Sequence, residues 1–152
     1  MDNELLKKIY EKYEREIYIY VYSICRNKAQ AEDLVQETFL KALLSLPKDD
    51  NLRAWLYKVA RNLTFNELKK SKRNVPLEEG EGVFTESFPS CGKELSEALE
   101  KLSPQKREII LLQYAGGLSQ KEIAKILNIS PQNVRVIAFR ARKELKEKLE
   151  GF

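Results

Sequence analysis

Between residues 130 and 143 the chain reads SPQNVRVIAFRARK, and its polar side chains are chosen and spaced for recognition. On a helix, Gln132, Asn133, Arg135, Val136 and Phe139 point away from the apolar positions Val134 and Ile137, with Arg140, Arg142 and Lys143 following. Glutamine and asparagine pair bidentately with adenine and arginine with guanine, while basic residues further along meet phosphates. That is chemistry for reading a DNA duplex. Bond-making chemistry is harder to find. The chain has no histidine, its carboxylates form no recognisable catalytic pattern, and no glycine-rich phosphate loop occurs. The expectation is a protein that is not an enzyme and needs no cofactor or metal.

Such a face must be aimed, and the preceding residues are built to aim it. Ser119 followed by Glu122 fits a capping box that opens a first short helix. Ile123, Ala124 and Leu127 give it one apolar face, and small Ala124 falls where two crossing helices approach most closely. Asn128 marks the turn, because asparagine tolerates the left-handed conformation. Ser130 then caps a second helix that starts at Pro131, where no N–H is missed. Ile129, Val134 and Ile137 supply that helix's apolar side. The pattern is a helix-turn-helix, with Ser130, Gln132, Asn133, Arg135, Val136, Phe139, Arg140 and Arg142 as its DNA-facing set. The plain alternative is a helical hairpin inside an ordinary core.

Composition allows one domain or two small ones in 152 residues. Residues 1–75 carry 15 Lys/Arg against 11 Asp/Glu, a net of +4, and residues 101–152 carry 11 against 5, a net of +6. Between them, residues 76–100 carry 1 against 7, a net of −6. Two basic blocks around an acidic strip suggest a polyanionic partner such as nucleic acid. The apolar runs are too short for stable membrane insertion, and the charged start MDNELLKKIYEKYERE is not a signal peptide. Cys25 and Cys91 are too few and too isolated for a disulfide framework or a zinc site, so a reducing cytoplasm is the natural setting.

The first block reads as three helices. Leu5, Ile9, Tyr13, Ile17 and Val21 recur every fourth residue, and Arg26-Asn27 ends the element. A second helix is expected from about Ala29 to Leu44, with Leu34, Val35, Thr38 and Ala42 on one side and Asp33, Gln36, Glu37 and Lys41 on the other. After the loop SLPKDDN a third runs from about Leu52 to Lys70, with Leu52, Leu56, Val59, Ala60 and Leu63 inward. Residues 74–92 hold three glycines and two prolines and read as an acidic flexible linker, roughly 60 Å long if fully extended. Helices resume at Lys93, and Ser103-Pro104 opens one that is expected to continue through Tyr114 until Gly116-Gly117 stops it. The expected fold is all-α, with two small helical domains spanning 1–73 and 93–152.

This order of parts resembles the bacterial RNA polymerase sigma factors of the extracytoplasmic-function type, members of the sigma-70 family with only domains two and four. The residues that carry the likeness are AEDLVQETFLKAL (31–43), LRAWLYKVARNLTFNELKKSKR (52–73) and LSPQKREIILLQYAGGLSQKEIAKILNISPQNVRVIAFRARKEL (102–145). The resemblance implies a factor that binds core polymerase at the largest-subunit clamp helices and the flap, and directs initiation at promoter DNA. An anti-sigma factor is a frequent further partner in this family. The segment DLVQETF resembles the clamp-helix docking element, which implicates Asp33, Leu34, Gln36, Glu37 and Phe39. The loop 47–51 and the start of the third helix resemble the part that captures an unpaired base of the minus-ten element, which implicates Asn51, Arg53, Lys58, Arg61 and Asn62. Trp55 reads as a stacking platform or as core. The second domain would read the minus-thirty-five element.

Two positions depart from the common pattern: Ile137 stands where many members have arginine, and Asn133 where many have threonine. Apolar Ile137 implies a second helix more firmly packed on its partner. Two other readings remain open from the residues: a regulator that binds an operator alone through 119–142, and a helical interaction module that binds a sigma factor.

Overall fold

The structure, a computed structural model, describes residues 3–45, 51–74 and 92–150. Among the described residues there are seven α-helices and one π turn, and no strand. The chain divides into two compact units, Met1–Glu86 and Ser87–Phe152. The loop residues 46–50, most of the expected linker (75–91) and Cys91 lie outside the described residues.

Three helices make the first unit: α1 (Asn3–Cys25), α2 (Lys28–Leu44) and α3 (Leu52–Asn74), each packed on the other two. The fourfold repeat of α1 is partly buried, with Ile9, Ile17 and Val21 inside, but Leu5 remains 47% exposed. Val35 and Ala42 of α2 and Leu56, Tyr57 and Ala60 of α3 close the core, while Val59 and Leu63 are half-buried. Buried hydroxyls are satisfied within their own helices, Thr38 donating to the Leu34 carbonyl at 2.8 Å and Thr64 to that of Ala60 at 2.7 Å. The junction of α1 and α2 is tight. Arg26 takes a left-handed φ of 57°, and Asn27 Oδ1 accepts the Gln30 N–H at 2.9 Å, so the asparagine that ends one helix caps the next. The Cys25 thiol is half-buried and donates towards the Asn27 carbonyl at 3.5 Å; burial raises its pKa.

The second unit holds α4 (Lys93–Lys101), α5 (Pro104–Ile110), α6 (Gln120–Leu127) and α7 (Pro131–Glu150). α4, α5 and α6 all pack on α7, around Ala98, Leu99, Ile109, Leu112, Ile123, Val134, Ala138 and Ala141. The helix expected to continue through Tyr114 is regular only to Ile110. A π turn, Leu111–Ala115, follows, closed by the Gly116 N–H on the Leu111 carbonyl at 3.0 Å. Leu118 N–H reaches back to Leu112 at 3.1 Å, and Gly117, at a φ of 63°, supplies the left-handed step. This reversal delivers the chain directly into the cap of α6.

Candidate nucleic-acid interface

Local capping sets the direction of α7. Ser119 Oγ accepts the Glu122 N–H at 3.2 Å while Glu122 Oε1 accepts the Ser119 N–H at 2.9 Å, a reciprocal capping box. Asn128 sits in the left-handed region at φ 58° and ψ 45°, and the Ile129 N–H closes on the Ala124 carbonyl at 3.1 Å. Ser130 Oγ then accepts the Asn133 N–H at 3.1 Å, ahead of Pro131 at the first helical position. Ile123, Ala124 and Ile126 are buried; Leu127, expected on that face, is only half-buried, because α6 turns Ile126 further into the core. Ile129 and Ile137 are half-buried beside buried Val134, which agrees with a second helix seated on its partner.

What remains outward is one continuous face. Gln132, Asn133, Arg135, Val136, Phe139 and Arg140 are all exposed, Phe139 by 62% and Val136 by 40%. Two expected members of the set serve the fold as well. The Ser130 hydroxyl is engaged as the cap, and Arg142 is half-buried, donating through Nη1 to Gln113 Oε1 at 3.2 Å. Arg142 therefore ties α7 to the π turn. Lys106 Nζ meets Glu144 Oε2 at 2.7 Å, a second tie from α5 to α7, and this hydrogen bond holds the Glu144 carboxyl below its ordinary pKa.

The expected minus-ten set divides on α3. Asn51 Oδ1 accepts the Ala54 N–H at 3.2 Å, so this side chain caps the helix. Arg53 is turned onto its own unit: Nε lies 3.1 Å from Glu16 Oε1, an ion pair, with the guanidinium 5.4 Å from the Tyr13 ring centroid. Arg61 is half-buried with its guanidinium 4.5 Å over the Phe65 ring, whereas Lys58 and Asn62, one turn apart, are exposed. Trp55 is half-buried. Two partners were not foreseen. Tyr57 is fully buried and donates to Glu16 Oε1 at 3.1 Å; burial raises the pKa of both, although Arg53 and the Tyr57 bond act to lower that of Glu16.

On α2, Asp33, Gln36 and Glu37 are exposed. Leu34 and Phe39 are 3% and 4% exposed and face the unit's own core, Phe39 edge-on to Tyr10 at 5.0 Å. The second unit carries an apolar groove of ≈ 690 Å³, walled by Leu95, Leu99, Ile110, Tyr114, Leu145 and Leu149. Among the described residues no helix is long and apolar enough to cross a membrane, and no cluster of carboxylates and cysteines could hold a metal ion.

Comparison with known proteins agrees with this geometry. Residues 9–74 match the family Sigma-70 region 2, and residues 92–145 match Sigma-70, region 4. The ECF RNA polymerase sigma factor SigM of Bacillus subtilis (strain 168) is 32% identical over 151 residues, covering 93% of each chain. SigW of the same organism is 31% identical over 170 residues, 97% of this chain and 90% of its own. Among solved structures, the sigma factor RpoE in complex with the anti-sigma factor NepR from Bartonella quintana matches with a TM-score of 0.76 at 30% identity, covering 95% of this chain and 96% of that one. With both sigma-70 regions present in order, and relatives of nearly equal length, the chain belongs to the extracytoplasmic-function sigma factors of the sigma-70 family.

Proposed function

We propose a division of labour for this sigma factor, which binds core RNA polymerase and directs promoter-specific initiation of transcription. Residues 1–73 dock on the polymerase and act at the minus-ten element. Residues 74–92 are the acidic tether, and residues 93–152 read the minus-thirty-five element. The observation that carries this reading is the outward face of α7, where Gln132, Asn133, Arg135, Val136, Phe139 and Arg140 stand exposed on a helix whose start Ser130 caps, directly after an α6 capped at both ends. Two large apolar side chains in the middle of a polar face suit thymine methyl groups, and the polar ones suit base edges.

Docking falls to Asp33, Gln36 and Glu37 on α2, facing the clamp helices, with Leu34 and Phe39 holding that helix in place from beneath. The groove between α4, α5 and α7 suits an amphipathic helix, and the polymerase flap is its proposed occupant. The similarity to a NepR-bound RpoE supports an anti-sigma factor as a further partner. The protein acts in the cytoplasm, without catalytic residues of its own. Replacing Asp33, Gln36 and Glu37 together by alanine tests the docking assignment. Core binding should fall by roughly a hundredfold or more, as expected when the centre of an interface is removed. The melting transition should barely move, because exposed substitutions change stability by about 0.5 kcal/mol or less. A well-folded triple variant that binds core normally would refute the docking face.

A further inference from the structure

We propose that Glu16 is a positioning residue for promoter opening, fixing the first turns of α3 through Arg53 and Tyr57. The inference rests on the reading that α3 meets the melted minus-ten strand. Most of the α1–α3 interface is apolar and non-directional: Ile17 and Leu56 are fully buried, and Tyr20 meets Tyr57 edge-on at 5.1 Å. Into this interface α1 places one carboxylate, its side chain only 18% exposed. A single oxygen, Glu16 Oε1, accepts the Tyr57 hydroxyl at 3.1 Å and lies 3.1 Å from Arg53 Nε as an ion pair, outside hydrogen-bond geometry. The two partners sit one turn apart on α3, so the node grips both the azimuth and the height of that helix.

Stability alone is a poor reason for this arrangement. A buried or half-buried ion pair is often no more stabilising than apolar side chains of similar volume, because desolvation offsets the attraction. Burial indeed disfavours the charged form of Glu16. What a directional node adds is a defined position. The residues it positions follow directly: Asn51 caps the helix, Lys58 lies one residue past Tyr57, and exposed Asn62 lies one turn further. The node also keeps Arg53 folded against Tyr13, away from an incoming strand.

The test uses holoenzyme assembled from core polymerase and full-length variants, at a promoter found by mapping its transcription starts. The probes are the single-stranded minus-ten oligonucleotide of that promoter, its intact duplex and a pre-melted version. Glu16→Gln keeps an acceptor for Tyr57 and removes the partner charge of Arg53. The double variant Glu16→Leu, Tyr57→Phe replaces the bonded pair by apolar groups and leaves no buried hydroxyl without an acceptor. The double variant should keep its melting temperature and core binding but lose roughly tenfold in single-strand affinity, a coupling of ordinary size. Its defect should be larger on duplex than on pre-melted template. Glu16→Gln should show the same pattern more weakly. Single-strand affinity within twofold of wild type in the double variant would overturn the proposal; if that variant does not fold, unchanged affinity in Glu16→Gln would do so. Asn62→Ala separates the two levels. If it too leaves strand binding unchanged, the strand-capture reading fails and this inference falls with it.

Discussion

Helices α3 and α7 are the two long helices assigned to DNA, and they treat their polar residues in opposite ways. α7 turns a continuous row outward, from Gln132 to Arg140, and keeps its ties to the unit on other sides, through Arg142 to Gln113 and through Glu144 to Lys106. α3 engages its first polar residues internally, Asn51 as a cap and Arg53 with Glu16, and presents Lys58 and Asn62 beyond them. The difference fits the target proposed for each. A duplex is stiff and offers base edges in register, so its reader needs a complete, preset face. An unpaired strand is pliable and is gripped at few points by stacking and hydrogen bonds, so its helix needs an accurate position more than a long face.

The comparison is sharpened most by Arg135→Ala. A base contact of this kind is worth about 1–3 kcal/mol, so discrimination at particular minus-thirty-five base pairs should fall by roughly 5- to 150-fold. Binding assays of the holoenzyme across single-base promoter variants would show it. Equal weakening on every sequence would make Arg135 a phosphate contact and remove the distinction drawn for α7.

A smaller effect is expected where α7 is aimed. Asn128→Ala places an ordinary side chain at a φ of 58°, which costs about 1–2 kcal/mol, while Asn128→Gly should be nearly neutral. Calorimetry should show the transition of the second unit lowered by about 4–8 °C per kcal/mol in the alanine variant, with that of the first unit unmoved. If both units shift together, their cores are not independent and α3 and α7 cannot be compared as separate devices.

Much of the aiming machinery is legible in the sequence because it is local. Ser119 with Glu122, Asn128, and Ser130 before Pro131 each act within four residues, and each makes the bonds its residue type suggests. The features not legible there depend on contacts that no short window contains. Tyr57 and Glu16 are 41 residues apart, so periodicity could not mark either as half of a polar pair. Leu34 and Phe39 lie next to exposed docking residues in the chain, and only packing against α1 and α3 shows that they point inward. Arg142 continues a basic run that reads as phosphate contacts, yet Gln113 of a preceding segment claims it. The π turn at Leu111–Ala115 has no composition of its own, and the two glycines after it mark only where the reversal ends.

The most direct test of the central claim compares one variant from each helix on two templates. Holoenzymes carrying Arg135→Ala or the exposed-face change Asn62→Ala would be assayed for initiation on a duplex promoter and on the same promoter pre-melted at the minus-ten region. Pre-melting should partly restore the Asn62 variant, whose defect lies in holding the opened strand, and leave the base-pair preferences of the Arg135 variant altered as before. Equal rescue of both variants, or full activity of Asn62→Ala on the duplex, would contradict the assignment of duplex reading to α7 and strand capture to α3.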